Sequence, residues 1–174
     1  MKCEIGKIGA MLNPSKLANK LQGFRGTVKP LFKIIFLCED HVSLGRAENL
    51  RTTLIRNCAA AVHIESHFCE YARLCHPQLR QTALAHAVEA DMLIISAKGT
   101  YSVPPFVQDW MDEVGALRPE KIICAEFLAI GGTPNELVFH RFIEKWAAQN
   151  SEILFSNLFP GGRAPVSRTA QAQI

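Results

Sequence analysis

A chain of 174 residues that is 48% hydrophobic and 20% charged suits one globular domain with a single core, burying about two-thirds of its unfolded surface, and excludes a disordered or fibrous class. No apolar run approaches the roughly 18 to 20 residues of a membrane span, and the N-terminus lacks the continuous apolar segment of a signal peptide, so a soluble, cytoplasmic protein is expected. The net charge of +3 is uneven: residues 1–30 carry six basic side chains against Glu4, a balance of +5, which leaves −2 for residues 31–174.

In chain order, residues 1–30 read as a basic extension broken by the turn signals Asn13-Pro14-Ser15 and Gly23 to Gly26. Its charges are singly spaced and no aromatic platform accompanies them, so there is no strong nucleic-acid signal. LFKIIFLCED (Leu31 to Asp40) is a continuous apolar run closing on acids, the pattern of a strand buried on both faces. LGRAENLRTTLIRNCAA follows at helical spacing, with Leu44, Ala47, Leu50, Leu54, Ile55 and Cys58 inward and Ser43 as the expected N-cap. A second strand is expected over Ala61 to Phe68, a proline-opened helix over Pro77 to Ala90, and a third strand over Asp91 to Ala97. The third helix turns Val107, Trp110, Met111 and Val114 inward. A strand over Lys121 to Ile130, a helix over Asn135 to Asn150 with Val138, Phe142, Ile143 and Trp146 inward, and a strand over Glu152 to Phe159 complete a domain of residues 31–159. Residues 160–174, PGGRAPVSRTAQAQI, read as a loose tail.

Strict alternation of strand and helix implies a doubly wound, flavodoxin-like α/β fold: a three-layer α/β/α sandwich around a five-stranded parallel sheet of order 2-1-3-4-5. Such a sheet offers its ligand crevice where the order reverses, between the first and third strands. The chain delivers Glu39, Asp40, His41, Ser43 and Arg46 there from the first strand, and Ser96, Lys98, Gly99 and Tyr101 from the third. Asp40 and Lys98 are expected to face each other across it. The six cysteines, Cys3, Cys38, Cys58, Cys69, Cys75 and Cys124, are scattered through apolar stretches, as buried reduced thiols are, rather than set out as a disulfide framework.

Three resemblances bear on function. SAKGTYSVPPFVQDWMDEV (Ser96 to Val114) resembles the loop and helix of flavodoxin-like FMN reductases, and AIGGTP (Ala129 to Pro134), with Gly131 and Gly132, is similar to a glycine loop of that family. The resemblance implies FMN as the candidate cofactor and a flavin-dependent oxidoreductase if the chain is an enzyme. It departs from the family where the phosphate loop should offer Ser, Thr and Gly, because this loop opens with Glu39-Asp40, whose carboxylates repel a dianion. IIFLCEDH (Ile34 to His41) and QTALAHAVEADMLIIS (Gln81 to Ser96) resemble the receiver domains of response regulators, which implies an acidic magnesium pair at Glu39-Asp40. Ser96 stands where a receiver carries its phospho-acceptor aspartate and Asn157 where it carries a lysine, so the resemblance implies a degenerate receiver. Over residues 31–157, CED, GRAENL, EADMLIISAKG and VPPFVQDWMDE resemble a group of short uncharacterised bacterial proteins, which implies the fold and the neighbourhood of Glu39, Asp40, Arg46, Lys98 and Gly99 but no activity.

HFCEYARLCH supplies His67, Cys69, Cys75 and His76, ligand types that suit zinc at a spacing that matches no standard finger. No Gly-x-Ser-x-Gly elbow is present, and no nucleophilic triad can be assembled from Ser43, Ser96 and His41. The residues therefore point to a non-catalytic module that binds a protein partner, itself or a small ligand at the crevice. An FMN-linked redox protein and a degenerate receiver are the alternatives.

Overall fold

The run LFKIIFLC becomes strand β1 (Leu31–Cys38) in this computed structural model, which describes residues 29–98, 102–118, 122–128 and 134–156. Helix α1 (His41–Cys58) follows, then β2 (His63–Glu70), a 3-10 turn (Tyr71–Cys75), α2 (Pro77–Glu89), β3 (Met92–Ala97), α3 (Pro105–Leu117), β4 (Ile122–Leu128), α4 (Pro134–Asn150) and β5 (Ser151–Ser156). All strands pair in parallel in the order β2-β1-β3-β4-β5. This is the order the alternation implies. The basic extension up to residue 28 and the tail of residues 160–174 lie outside the described residues.

A strand between two parallel neighbours is covered by helices on both faces, which is why β1 and β3 read as unbroken apolar runs. Ile34, Ile35, Phe36, Leu93, Ile94 and Ile95 are at most 2% exposed. β2 lies at the sheet edge, keeps polar residues along its length and is mostly half-buried. It begins at His63 rather than Ala61, because the amides of Ala61 and Val62 are taken by the Cys58 carbonyl in closing α1.

The helices divide unequally. α2, α3 and α4 bury Leu84, Val107, Trp110, Met111, Phe139 and Ile143 against the Ile35, Leu93 and Ile95 face. α1 buries Ala47, Leu50 and Leu54 against the Phe36, Met92 and Ile94 face. The α3 stripe falls where its period places it, with Val107, Trp110, Met111 and Val114 all inaccessible. In α4 Ile143 and Trp146 turn inward as expected, but Phe139 at 1% exposure enters the core in place of Val138, which is 52% exposed, and Phe142 only flanks the cluster. The inward set Phe139, Ile143, Trp146 and Ala147 keeps the i, i+4, i+7, i+8 spacing around both bulky core residues, which leaves Val138 on the outer side.

Arg118, just past α3, donates from Nη1 to the carbonyls of Ala87, Val88 and Ala90 at 2.9, 2.9 and 2.5 Å, closing the C-terminus of α2. The five described cysteines are free thiols. Cys38, Cys58, Cys69 and Cys124 are buried as expected, but Cys75 is exposed, because in the short turn Tyr71 and Leu74 take the inward positions. No described helix is long and apolar enough to cross a membrane.

Candidate functional site

The pairing of β1 with β3 brings Cys38 opposite Ser96, so the residues that follow each strand meet at the C-terminal edge of the sheet. The ladder runs one residue further, with Glu39 N donating to Ser96 O at 2.9 Å. The chain then turns at Asp40, whose extended backbone and side chain make it the N-cap of α1: Oδ1 accepts from Ser43 N at 2.8 Å. The cap is therefore Asp40 and not Ser43, because strand pairing ends early enough for the helix to start at His41, ahead of the first periodic apolar residue.

Lys98 is held at both ends. Its Nζ lies 2.6 Å from Asp40 Oδ2, and its backbone N donates to Glu39 Oε2 at 2.5 Å. The two acids that seemed open to a metal or repulsive to a phosphate thus share one basic residue of the chain. Ser43 is fully buried: its carbonyl accepts from Ser96 Oγ at 2.8 Å, and its hydroxyl accepts from Arg46 Nη2 at 3.1 Å. Arg46 Nη2 also donates to Ala97 O at 2.8 Å. Ser43, Ser96 and Arg46 therefore tie the first turn of α1 to the end of β3. His41 is exposed at the start of α1. Gly99, Tyr101, Gly131 and Gly132 lie outside the described residues.

Partial burial raises the Asp40 carboxyl, but the hydrogen bonds from Lys98 and Ser43 and the Lys98 charge outweigh it and hold the group well below the ordinary carboxylate range. The Lys98 ammonium is raised by its hydrogen bond to Asp40 and by that carboxylate's charge. Burial lowers Arg46, against the opposing pull of Asp40 and Glu39, and the guanidinium remains charged. Burial pushes the Cys38 thiol, at the base of the crevice, up to about 12, so it is not a nucleophile at neutral pH.

A helix N-terminus next to a strand end is the place such a sheet offers to a phosphate. Here the Asp40 carboxylate, held by the Ser43 amide and by Lys98, occupies that place. An incoming anion would have to displace a carboxylate from its own amide and cation.

The four residues considered for zinc do not converge. His67 Nε2 lies 3.0 Å from Glu65 Oε1 and its ring stacks on His86 with centroids 3.6 Å apart, Cys69 is buried, and Cys75 and His76 are exposed on the following turn. No group of three or more His, Cys, Asp or Glu that could hold a metal ion occurs among the described residues.

One polar constellation escaped the sequence reading. Glu126, buried at 3% exposure in β4, meets His140 Nδ1 of α4 at 2.5 Å through Oε2. The hydrogen bond that His140 Nδ1 donates to the Glu126 carboxylate outweighs the effect of burial and raises the imidazole above its ordinary value. The nearby Tyr71 hydroxyl is buried with no hydrogen-bond partner among the described residues, and burial pushes it strongly upward, reinforced by the carboxylates of Glu39 and Glu126. The available signal was a lone acid inside the apolar run of β4, since a buried carboxylate calls for a partner.

No protein-family model, curated protein or solved structure matches this chain.

Proposed function

We propose that this chain is a non-catalytic α/β module that contacts a protein partner or a second copy of itself at the rim of the β1–β3 crevice, and does not hold a flavin or another phosphate-bearing ligand inside it. The observation that carries this reading is the Asp40 carboxylate seated on the α1 N-terminus and paired with Lys98. Binding a phosphate dianion there would cost that cap and ion pair and would set like charges side by side. The remaining crevice groups serve internal roles: Ser96 and Arg46 bond to backbone carbonyls, and Glu39 bonds to the Lys98 amide. The surface at this end of the sheet suits a macromolecule better. At the rim Val42, in the first turn of α1, is 46% exposed, and the exposed His41 stands beside it.

Titration of the purified protein with FMN, followed by flavin fluorescence, and with inorganic phosphate, followed by heat, tests this reading. Neither is expected to saturate. Saturable flavin quenching with submicromolar affinity would overturn it and favour the redox reading, with Ser43 and Arg46 the first residues to substitute.

A further inference from the structure

Strand β2 ends the sheet on the side away from β3, and its sequence does little to blunt that edge. It runs from His63 to Glu70, as long as the inner strand β1, and pairs with β1 residue for residue without a bulge. It contains neither lysine nor proline, the residues that most often keep an edge strand from recruiting another chain. His63 N donates to Pro30 O on the β1 side, and the backbone groups of successive strand residues alternate in direction. The N–H and C=O groups of Ile64, Ser66 and Phe68 therefore point away from β1, and among the described residues no strand pairs with them.

The side chains of this strand fit a second copy of it. When two copies pair antiparallel about a two-fold axis normal to the sheet, residues directly opposite each other lie on the same face, so the axis falls on a residue. An axis at Ser66 sets Ser66 against its own copy, Ile64 against Phe68 and Glu65 against His67, the last two pairs each made twice. Ile64 and Phe68 stand on the α1 face and are only partly buried within one chain, and this register packs each against the other. Glu65 and His67 stand on the opposite face, in a pair of the type that brings side chains closest. Within one chain His67 Nε2 already meets Glu65 Oε1 at 3.0 Å, so the axis builds an alternating set of two carboxylates and two imidazoles. An axis at Glu65 would instead oppose two carboxylates, and an axis at His67 would set Glu70 against Ile64. The flanking helix adds apolar surface: His86 of α2 stacks on His67, and Leu79, two turns earlier on the same side of that helix, is exposed. One feature opposes the register, since the two Arg51 side chains, each donating to its own Ser66 Oγ at 2.7 Å, approach near the axis, a repulsion that salt screens at the surface.

We propose that β2 pairs with β2 of a second copy, antiparallel about a two-fold axis at Ser66, and joins the two sheets into one. This edge lies across β1 from the β1–β3 crevice, so the inference goes beyond the contact proposed at the rim and is tested apart from it.

Sedimentation equilibrium of the full chain across the micromolar range should give twice the chain mass. A monomer throughout, or an assembly that grows past the dimer, would overturn the proposal. Ser66→Pro deletes an outward N–H that the β1 ladder does not use, so a monomer with the circular dichroism of the parent is expected, and a variant that still dimerises would overturn it. Charge exchange decides the matter even where the proline variant fails to fold. Glu65→Lys places a cation against His67 of the second copy, and His67→Glu places two carboxylates together, so each alone should weaken self-association by about tenfold. Mixing the two variants, one of them isotopically labelled, should restore dimers that contain one chain of each, because the mixed pairs are again acid against base. A mixture that associates no better than its components would overturn the proposal.

Discussion

Replacing Asp40 with alanine isolates the residue on which the reading of the crevice turns. The substitution removes the acceptor of the Ser43 amide, made at 2.8 Å, and the partner of Lys98. Loss of an aspartate N-cap costs about 1 kcal/mol, within a range of about 0.5–2. The ammonium of Lys98 sits at the surface, so its pairing adds little to this, and the cap sets the scale. For a chain of this length about 1 kcal/mol corresponds to about 2–4 °C in Tm. Asp40→Asn keeps a side-chain oxygen for the Ser43 amide and should recover most of the loss, since asparagine caps as well as aspartate. The carboxyl is depressed in the folded state, so its contribution is complete above the unfolded value of 3.8 and is lost as pH falls through and below it. The parent should therefore lose stability in acid more steeply than Asp40→Ala. Urea unfolding of the three proteins at neutral and acid pH reads all of this. An alanine variant as stable as the parent, or an asparagine variant as damaged as the alanine one, would refute the capping argument.

Further substitutions probe the frame around the site. Ile94→Ala, at a fully inaccessible position in β3, should cost about 2–5 kcal/mol in urea unfolding; a loss under about 1 would place β3 at the edge of the sheet. Arg118→Ala should cost about 1.5–3 kcal/mol by unpairing the carbonyls that end α2, and Arg118→Lys should recover only part of it, because a point charge cannot reproduce a planar fork. His140 is raised above 6.5 in the folded state, so its stabilisation is complete below 6.5 and disappears as pH rises through the folded value. The stability difference between the parent and His140→Gln, measured against pH, should shrink across that interval, and a difference that grows would reverse the assignment. His86, lowered first by burial and then by the His67 charge, acts in the opposite direction, which is why the difference and not the parent curve is the quantity to follow.

The strands were legible because each inner strand of a parallel sheet is buried on both faces and leaves an unbroken apolar run, as in Leu31–Cys38 and Met92–Ala97. The meeting of Asp40 and Lys98 was legible for a topological reason: once β1 and β3 are neighbours, the residues after each must share a crevice. What depends on a single residue of register was harder. Ser43 and Asp40 both have side chains that cap, and hydrophobic periodicity placed the helix start at Leu44, whereas the end of strand pairing lets it begin at His41. Val138 and Phe139 are both apolar, and only packing against β4 decides which of them turns inward. The Glu126–His140 pair joins a strand to the helix that follows it across a loop of the chain, and no local pattern announces that contact. The Arg118 contacts are of the same kind, made to a helix about 30 residues earlier.

The visible absorbance spectrum of the protein, purified from cells without added cofactor and then unfolded to release anything bound, tests most directly the claim that Asp40 fills the anion seat. The account predicts a colourless protein with no flavin band before or after unfolding, because the α1 N-terminus is already satisfied by its own carboxylate. A yellow protein that releases one flavin per chain would contradict it.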